Sequence, residues 1–346
     1  MKKILELNRN PILTSYWFYA NLQSVITVAD PKNLFIANNY NNIFSLTLNT
    51  RIQPHVLFTS EIARTIMDIY FDCPYLDLQK INKNYFFGIC KFSFLDFVKH
   101  TINEGYFILL MVDRCYIKEY GFDYPSNHEI MIYGYDEEVN IVYFCDNVKD
   151  GEYRNNLSCS FSALLASFQE LVFPFKLDDK DGTVDPFFDC LYLLKPRENS
   201  FYTLNLDEII RSLRQYIHLE ASFGEKTIYS YKTVWGIHVY ETFKKYLHYV
   251  SGFNGSNYIK DIRGFSVLWD HKKSVLTTFK ILCEYGYLSE NVITAYEVIE
   301  KKILVLRNKV LKMIYSDNKK CIPKLIDNIN EISEQEFLII SSALRF

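Results

Sequence analysis

His128 and Asp146 are the residues of this chain best placed to do chemistry. They bracket two apolar runs, HEIMIYGY (128–135) and NIVYFCD (140–146). Between the runs, Asp136-Glu137-Glu138 reads as a hairpin turn. A turn centred near Glu137 sets His128 across from Asp146, with Cβ atoms about 5 Å apart. At that distance a carboxylate fixes the tautomer and orientation of an imidazole and leaves its other nitrogen free as a base. A register slip of one hands the orienting role to Asn147, whose amide oxygen can fill it. The bland alternative is that both are solvated residues at strand ends.

The elements that must position this pair come from the first 200 residues. Phe18, Leu22, Val25 and Ile26 share one face of a helix over 16–28, and a second helix spans 94–103, ended by Gly105. Tyr106–Asp113 (YFILLMVD) is a short apolar run of the buried-strand kind. A helix over 160–170 takes Ser158 or Ser160 as its cap. A loop spans 177–186, and 188–194 is a closing strand.

Beyond residue 200 helical patterning dominates. Asn205 and Glu208 form a capping pair ahead of EIIRSLRQYI, and helices are predicted over 233–250, 261–284 and 289–315. Ser333 and Glu336 open a last helix by the same capping logic. The fold class is therefore α+β. An N-terminal domain over 1–196 carries an antiparallel sheet, and an all-helical bundle follows over 203–346.

Bulk properties exclude several classes. The net charge of -3 gives no electrostatic footprint for nucleic acid. The longest apolar stretch, near Phe107–Val112, is far short of a membrane span, and the first residues lack a secretory signal core. A cytoplasmic protein is expected. The eight cysteines, Cys73, Cys90, Cys115, Cys145, Cys159, Cys190, Cys283 and Cys321, form no CxxC pair and read as free thiols. No P-loop or GxGxxG occurs among the 12 glycines. His238, His248 and His271 lack metal-ligand spacing, so no metal and no bound cofactor is expected. Arg263 and His271 share a helix face that, with Lys272-Lys273, reads as solvated. The 27 tyrosines and 27 phenylalanines read as codon bias of an AT-rich genome.

Taken together, Met111-Val112-Asp113, His128, Tyr133-Gly134-Tyr135-Asp136 and Asp146-Asn147 resemble the papain-like cysteine peptidase fold, in particular its bacteriocin-processing branch. More narrowly, the chain resembles the butirosin biosynthesis protein H family of bacterial antibiotic clusters. Trp17-Phe18-Tyr19-Ala20-Asn21-Leu22 is similar to that family's first helix. Trp235–Tyr240 and Asp261–Phe265 are similar to its helical tail. The resemblance implies acyl transfer from an acyl or peptidyl carrier-protein thioester, linked through phosphopantetheine, to the amine of a small molecule. A cysteine at the first helix's N-terminus would attack the thioester, activated by the helix end. The hairpin histidine would be the base and the aspartate its orienter.

The chain departs from that pattern at the nucleophile, where Trp17 stands. Ser15 or Thr14 substitutes only if the alignment shifts by two or three residues. Cys115, after the apolar strand, reads as a buried thiol. Three readings follow: an acyltransferase in which His128 deprotonates the acceptor amine directly, an inactive scaffold, and a hydrolase using Ser15.

Overall fold

The computed structural model describes residues 1–48, 51–59, 75–89, 93–148, 152–171, 190–197, 203–218, 227–228, 231–252 and 262–345. Cys73, Cys90, Asp261 and the loop expected over 177–186 lie outside them. In chain order the first elements are β1 (Lys2–Ile4), α1 (Trp17–Ala29), α2 (Leu34–Asn39), β2 (Asn42–Leu48), β3 (Arg51–Thr59), β4 (Leu76–Asn82), α3 (Lys83–Ile89) and α4 (Phe94–Asn103). Then come β5 (Phe107–Asp113), two 3₁₀ turns (Arg114–Tyr116 and Lys118–Tyr120), β6 (Asn127–Asp136), β7 (Ile141–Asn147), β8 (Tyr153–Ser160), α5 (Phe161–Gln169) and β9 (Cys190–Pro196). The rest are α6 (Leu206–Ile217), β10 (Thr227–Ile228), β11 (Tyr231–Trp235), α7 (Val239–Ser251), α8 (Arg263–Glu284), α9 (Glu290–Ser316) and α10 (Ile322–Ala343). Helix and antiparallel sheet are mixed, an α+β class.

The chain divides into two units. One joins Met1–Pro31 to Cys73–Ser200, and the other joins Lys32–Asp72 to Phe201–Phe346. The expected link over 196–203 contains one of the crossings. The 1–196 and 203–346 division misses the other two, because β2 and β3 leave the first unit to build a sheet in the second.

The first unit holds a seven-stranded antiparallel sheet in the order β4-β9-β5-β6-β7-β8. β1 adds to β6 beyond the start of β5, so that Ile4 faces Gly134 where Ile108 faces Ile132, and Asp113 faces Asn127 at the far end of β6. One sheet face carries Ile108, Leu110, Val112, Ile130, Ile132, Val142 and Phe144. They pack on Val98 and Ile102 of α4 and on Leu164 and Phe168 of α5. The strands supply these residues at every second position, which is the pleat's own period. α4 starts where Ser93 Oγ accepts the Asp96 N–H (3.1 Å), and α5 where Ser160 Oγ accepts that of Ala163 (3.1 Å). α1 runs against β6, β7 and β9 and contributes nothing to that core. Its Asn21 accepts from the Tyr153 hydroxyl at 3.0 Å.

The second unit corrects the all-helical expectation. It contains a four-stranded sheet, β10-β11-β2-β3, besides its helices. The helix expected over 233–250 begins only at Val239, because Tyr231–Trp235 pairs with β2 instead. β-Branched Thr233 and Val234 favour the pleat. Gly236 then turns the chain at φ +59, where a Cβ would sit 2.3 Å from the Tyr216 carbonyl oxygen.

The last helix is also corrected. Ser333 and Glu336 lie inside α10, which starts at Ile322 with proline in its first turn. Ile322, Leu325, Ile329, Ile332, Glu336 and Ile340 form one buried stripe. Asn205 does cap α6, accepting from the Glu208 N–H at 3.1 Å, but the Glu208 carboxylate turns to Arg211 instead of back to the cap.

Candidate active site

The hairpin forms, in a register other than the expected one. Its turn occupies Glu137–Asn140, with Asn140 at φ 56. Asp136 Oδ1 accepts the Glu138 N–H at 3.1 Å. Asp136 pairs with Ile141 and Gly134 with Tyr143, then Tyr133 bulges and Ile132 pairs with Phe144. Met131 faces Cys145, so Asp146 falls level with Ile130 and not with His128. His128 and Ile130 point to the same face. Asp146 therefore meets His128 as a diagonal neighbour, still within reach of a ring.

The contact is made. His128 Nδ1 lies 2.6 Å from Asp146 Oδ1, with Asp146 wholly buried and the His128 side chain 23% exposed. Nδ1 also lies 3.2 Å from the Glu129 carbonyl oxygen. Both neighbours of Nδ1 are acceptors, so the proton belongs on Nδ1 and Nε2 is left with its lone pair. Burial pushes the ring's pKa down. The Asp146 charge and hydrogen bond, helped by Glu129 and opposed by Arg114, outweigh that and hold it above its ordinary 6.5.

The other carboxylate oxygen has its own donor. Tyr120 Oη donates to Asp146 Oδ2 at 2.5 Å. Asp113, at the end of β5, sets up the loop that carries Tyr120. Its Oδ1 accepts from Cys115 N at 3.1 Å and from Ser126 N at 2.9 Å, cinching residues 114–126 between β5 and β6. Arg114 fastens the same loop by donating to Ser126 Oγ at 2.8 Å.

The remaining sequence-predicted residues are placed as follows. Asn147, one residue past Asp146, points to the other face of the sheet and donates to the Thr14 carbonyl at 2.8 Å. The approach to α1, which carries Ser15 and Trp17, is thereby tied to the sheet face opposite the one that carries the His–Asp pair. Ser15 is half-buried in that approach. Trp17 is the first residue of α1, 8% exposed and edge-on to Phe18. Burial, with the neighbouring Asp113, pushes the Cys115 thiol up to about 11, and burial, with the Glu119 charge, takes Cys159 to about 12. Neither is a thiolate near neutrality.

Sequence reasoning missed Glu129 and Tyr120. Glu129 faces Met111, is nearly buried, and has its carboxyl pushed up to about 7, chiefly by that burial. Its signal was available: a charged residue inside an alternating apolar strand. Tyr120 carried none, because only the loop's path brings it to β7.

A second titratable cluster lies in the second unit and overturns the solvated reading of His271 and Lys272. Both are fully buried. Lys272 Nζ donates to Glu336 Oε1 (2.7 Å), Tyr216 Oη (2.8 Å) and His271 Nδ1 (3.0 Å). Glu336 accepts also from Tyr216 (3.0 Å), Tyr240 (2.7 Å) and Tyr296 (2.5 Å). His271 Nε2 donates to the Asn41 carbonyl at 3.0 Å. Every donor of the ammonium is used, so the cluster has none left for a ligand. Among the described residues, no three His, Cys, Asp or Glu side chains gather to hold a metal, and no helix is long and apolar enough to cross a membrane.

Comparison with protein-family models and with curated proteins finds no match for this sequence.

Proposed function

We propose that the first unit is a papain-like domain of the butirosin biosynthesis protein H kind. Its reaction is transfer of an acyl group from a carrier-protein thioester to an amine in bacterial antibiotic or peptide metabolism, in the cytoplasm. The observation that carries this reading is the 2.6 Å contact between His128 Nδ1 and Asp146 Oδ1, on a ring that keeps part of its surface in solvent. That arrangement presents Nε2 as a general base.

In the reaction, Nε2 takes a proton from the acceptor amine as its nitrogen attacks the thioester carbonyl. The C–N bond forms, the C–S bond breaks, and the departing thiolate recovers the proton from the imidazolium. An amide and a free thiol result, without a covalent enzyme intermediate. A thioester is activated enough for this route, which does not use the position held by Trp17. His128 and Asp146 are the catalytic pair, and Asn147 positions the segment before α1.

The test uses an acyl-pantetheine thioester and an amine acceptor. His128→Ala should lower the aminolysis rate by about 10²–10⁴-fold. The wild-type rate should rise with pH through a midpoint above 6.5, since the raised ring must first lose its proton. Asp146→Asn should move that midpoint down. Equal background rates for wild type and His128→Ala favour a second reading, a binding module without chemistry. The buried indole of Trp17 at the head of α1 supports that alternative.

A further inference from the structure

We infer that Tyr120 is a positioning residue for the His128–Asp146 pair, setting the pair's proton affinity through its hydroxyl hydrogen bond to Asp146; this rests on the reading of His128 as the base. The geometry assigns the two carboxylate oxygens to different partners. Oδ2 receives Tyr120 Oη at 2.5 Å and Oδ1 meets His128 Nδ1 at 2.6 Å. Among the described residues no donor meets Oδ1 in hydrogen-bonding geometry, so its contact with His128 Nδ1 is one of charge at short distance. A carboxylate held at one oxygen cannot turn away from the ring at the other.

The donor's own state is fixed. Tyr120 is 8% exposed, its ring lies near Phe144 and Phe122, and the Arg114 guanidinium stands over it. Burial and the Asp146 charge hold its phenol well above the ordinary value, so it stays protonated and donates across the working pH range. Donation to a carboxylate disperses the charge that an imidazolium would otherwise feel. The Nε2 proton of the imidazolium is therefore held less tightly with Tyr120 present, and the ring loses it at a lower pH. Two opposing effects then set the base: Asp146 raises the ring's affinity, and Tyr120 limits the rise.

The experiment is an NMR titration of isotope-labelled histidine in the free protein, with the His128 signal assigned by its loss in His128→Ala. Tyr120→Phe should raise the apparent pKa of the pair by about one pH unit. A monofluorinated tyrosine at position 120, a stronger donor of nearly the same shape, should lower it, and it preserves the test if the phenylalanine variant does not fold. Shifts of opposite sign establish the role. A midpoint unmoved by the fluorinated residue overturns it and leaves Tyr120 as packing only. The titration needs no substrate, so it separates the two claims. Shifts of opposite sign without thioester turnover defeat the acyl-transfer reading and keep this one. Turnover with an unmoved titration does the reverse.

Discussion

Glu129 stands next to His128 yet serves the opposite face of β6, because adjacent strand residues alternate. Burial pushes its carboxyl up to about 7, against the opposing charges of His128 and Arg114. The native state then holds a proton that the unfolded chain releases near 4.5. Stability from this residue is full below that lower value, falls as pH rises to about 7, and is flat above. At 1.36 kcal/mol per pH unit the cost at pH 8 is about 3 kcal/mol. Glu129→Gln, uncharged and nearly isosteric, removes it. Denaturant unfolding should find the variant more stable than wild type at pH 8 and equal near pH 4.5. Equal stability at both pH values would mean that the carboxylate is solvated in the native protein. His128 has the opposite dependence: its raised affinity stabilises the fold below 6.5 and is lost as pH rises through the ring's own midpoint.

At the scale of elements, the hairpin shows what spacing can and cannot specify. Alternation in HEIMIYGY and the acidic turn were enough to place two strands and to bring His128 near Asp146. The register was not legible, since the turn closes over Glu137–Asn140, later than a centre at Glu137, and the bulge at Tyr133 takes back only one residue of that shift. Gly134 owes its place to a strand distant in sequence. It lies inside β6, where a Cβ would stand 2.8 Å from the Lys3 carbonyl oxygen and 2.7 Å from Ile4 Cδ1. The glycine is there to let β1 approach. Gly134→Ala should cost about 1–3 kcal/mol in denaturant unfolding, as small-to-large changes at closed sites do. Amide exchange should quicken at Leu5, whose N–H bonds the Tyr133 carbonyl at 2.8 Å. Unchanged protection of Leu5 would show that β6 gives way instead of β1. The strand Tyr231–Trp235 was missed for a related reason. A short apolar run feeding directly into a helix has no period of its own, and pairing with β2 decides it.

Across the whole molecule, the least legible feature is the buried polar cluster of the second unit. Lys272-Lys273 looks solvated in sequence, and Ser333 with Glu336 imitates a capping pair. Tyr216, Tyr240 and Tyr296 disappear into a composition that codon usage explains. Their hydroxyls converge on one carboxylate only because α6, α7, α8, α9 and α10 meet around it. Lys272 and Glu336 are both at 0% side-chain exposure. Their attraction is offset by the cost of taking both charges out of water, so the pair by itself adds little net stability. Removing one partner differs, because the other charge stays behind. Lys272→Met or Glu336→Leu alone should cost about 3–5 kcal/mol. The neighbouring His271 cannot take over as the cation: burial and Lys272 hold it well below its ordinary range, and its Nε2 proton is committed to Asn41. With both substitutions no orphaned ion remains, and the double variant should unfold at clearly higher denaturant than the sum of the single losses allows. A double-mutant cycle measures this directly. Strictly additive losses would mean that water reaches the cluster and that the five helices are held by their apolar stripes alone.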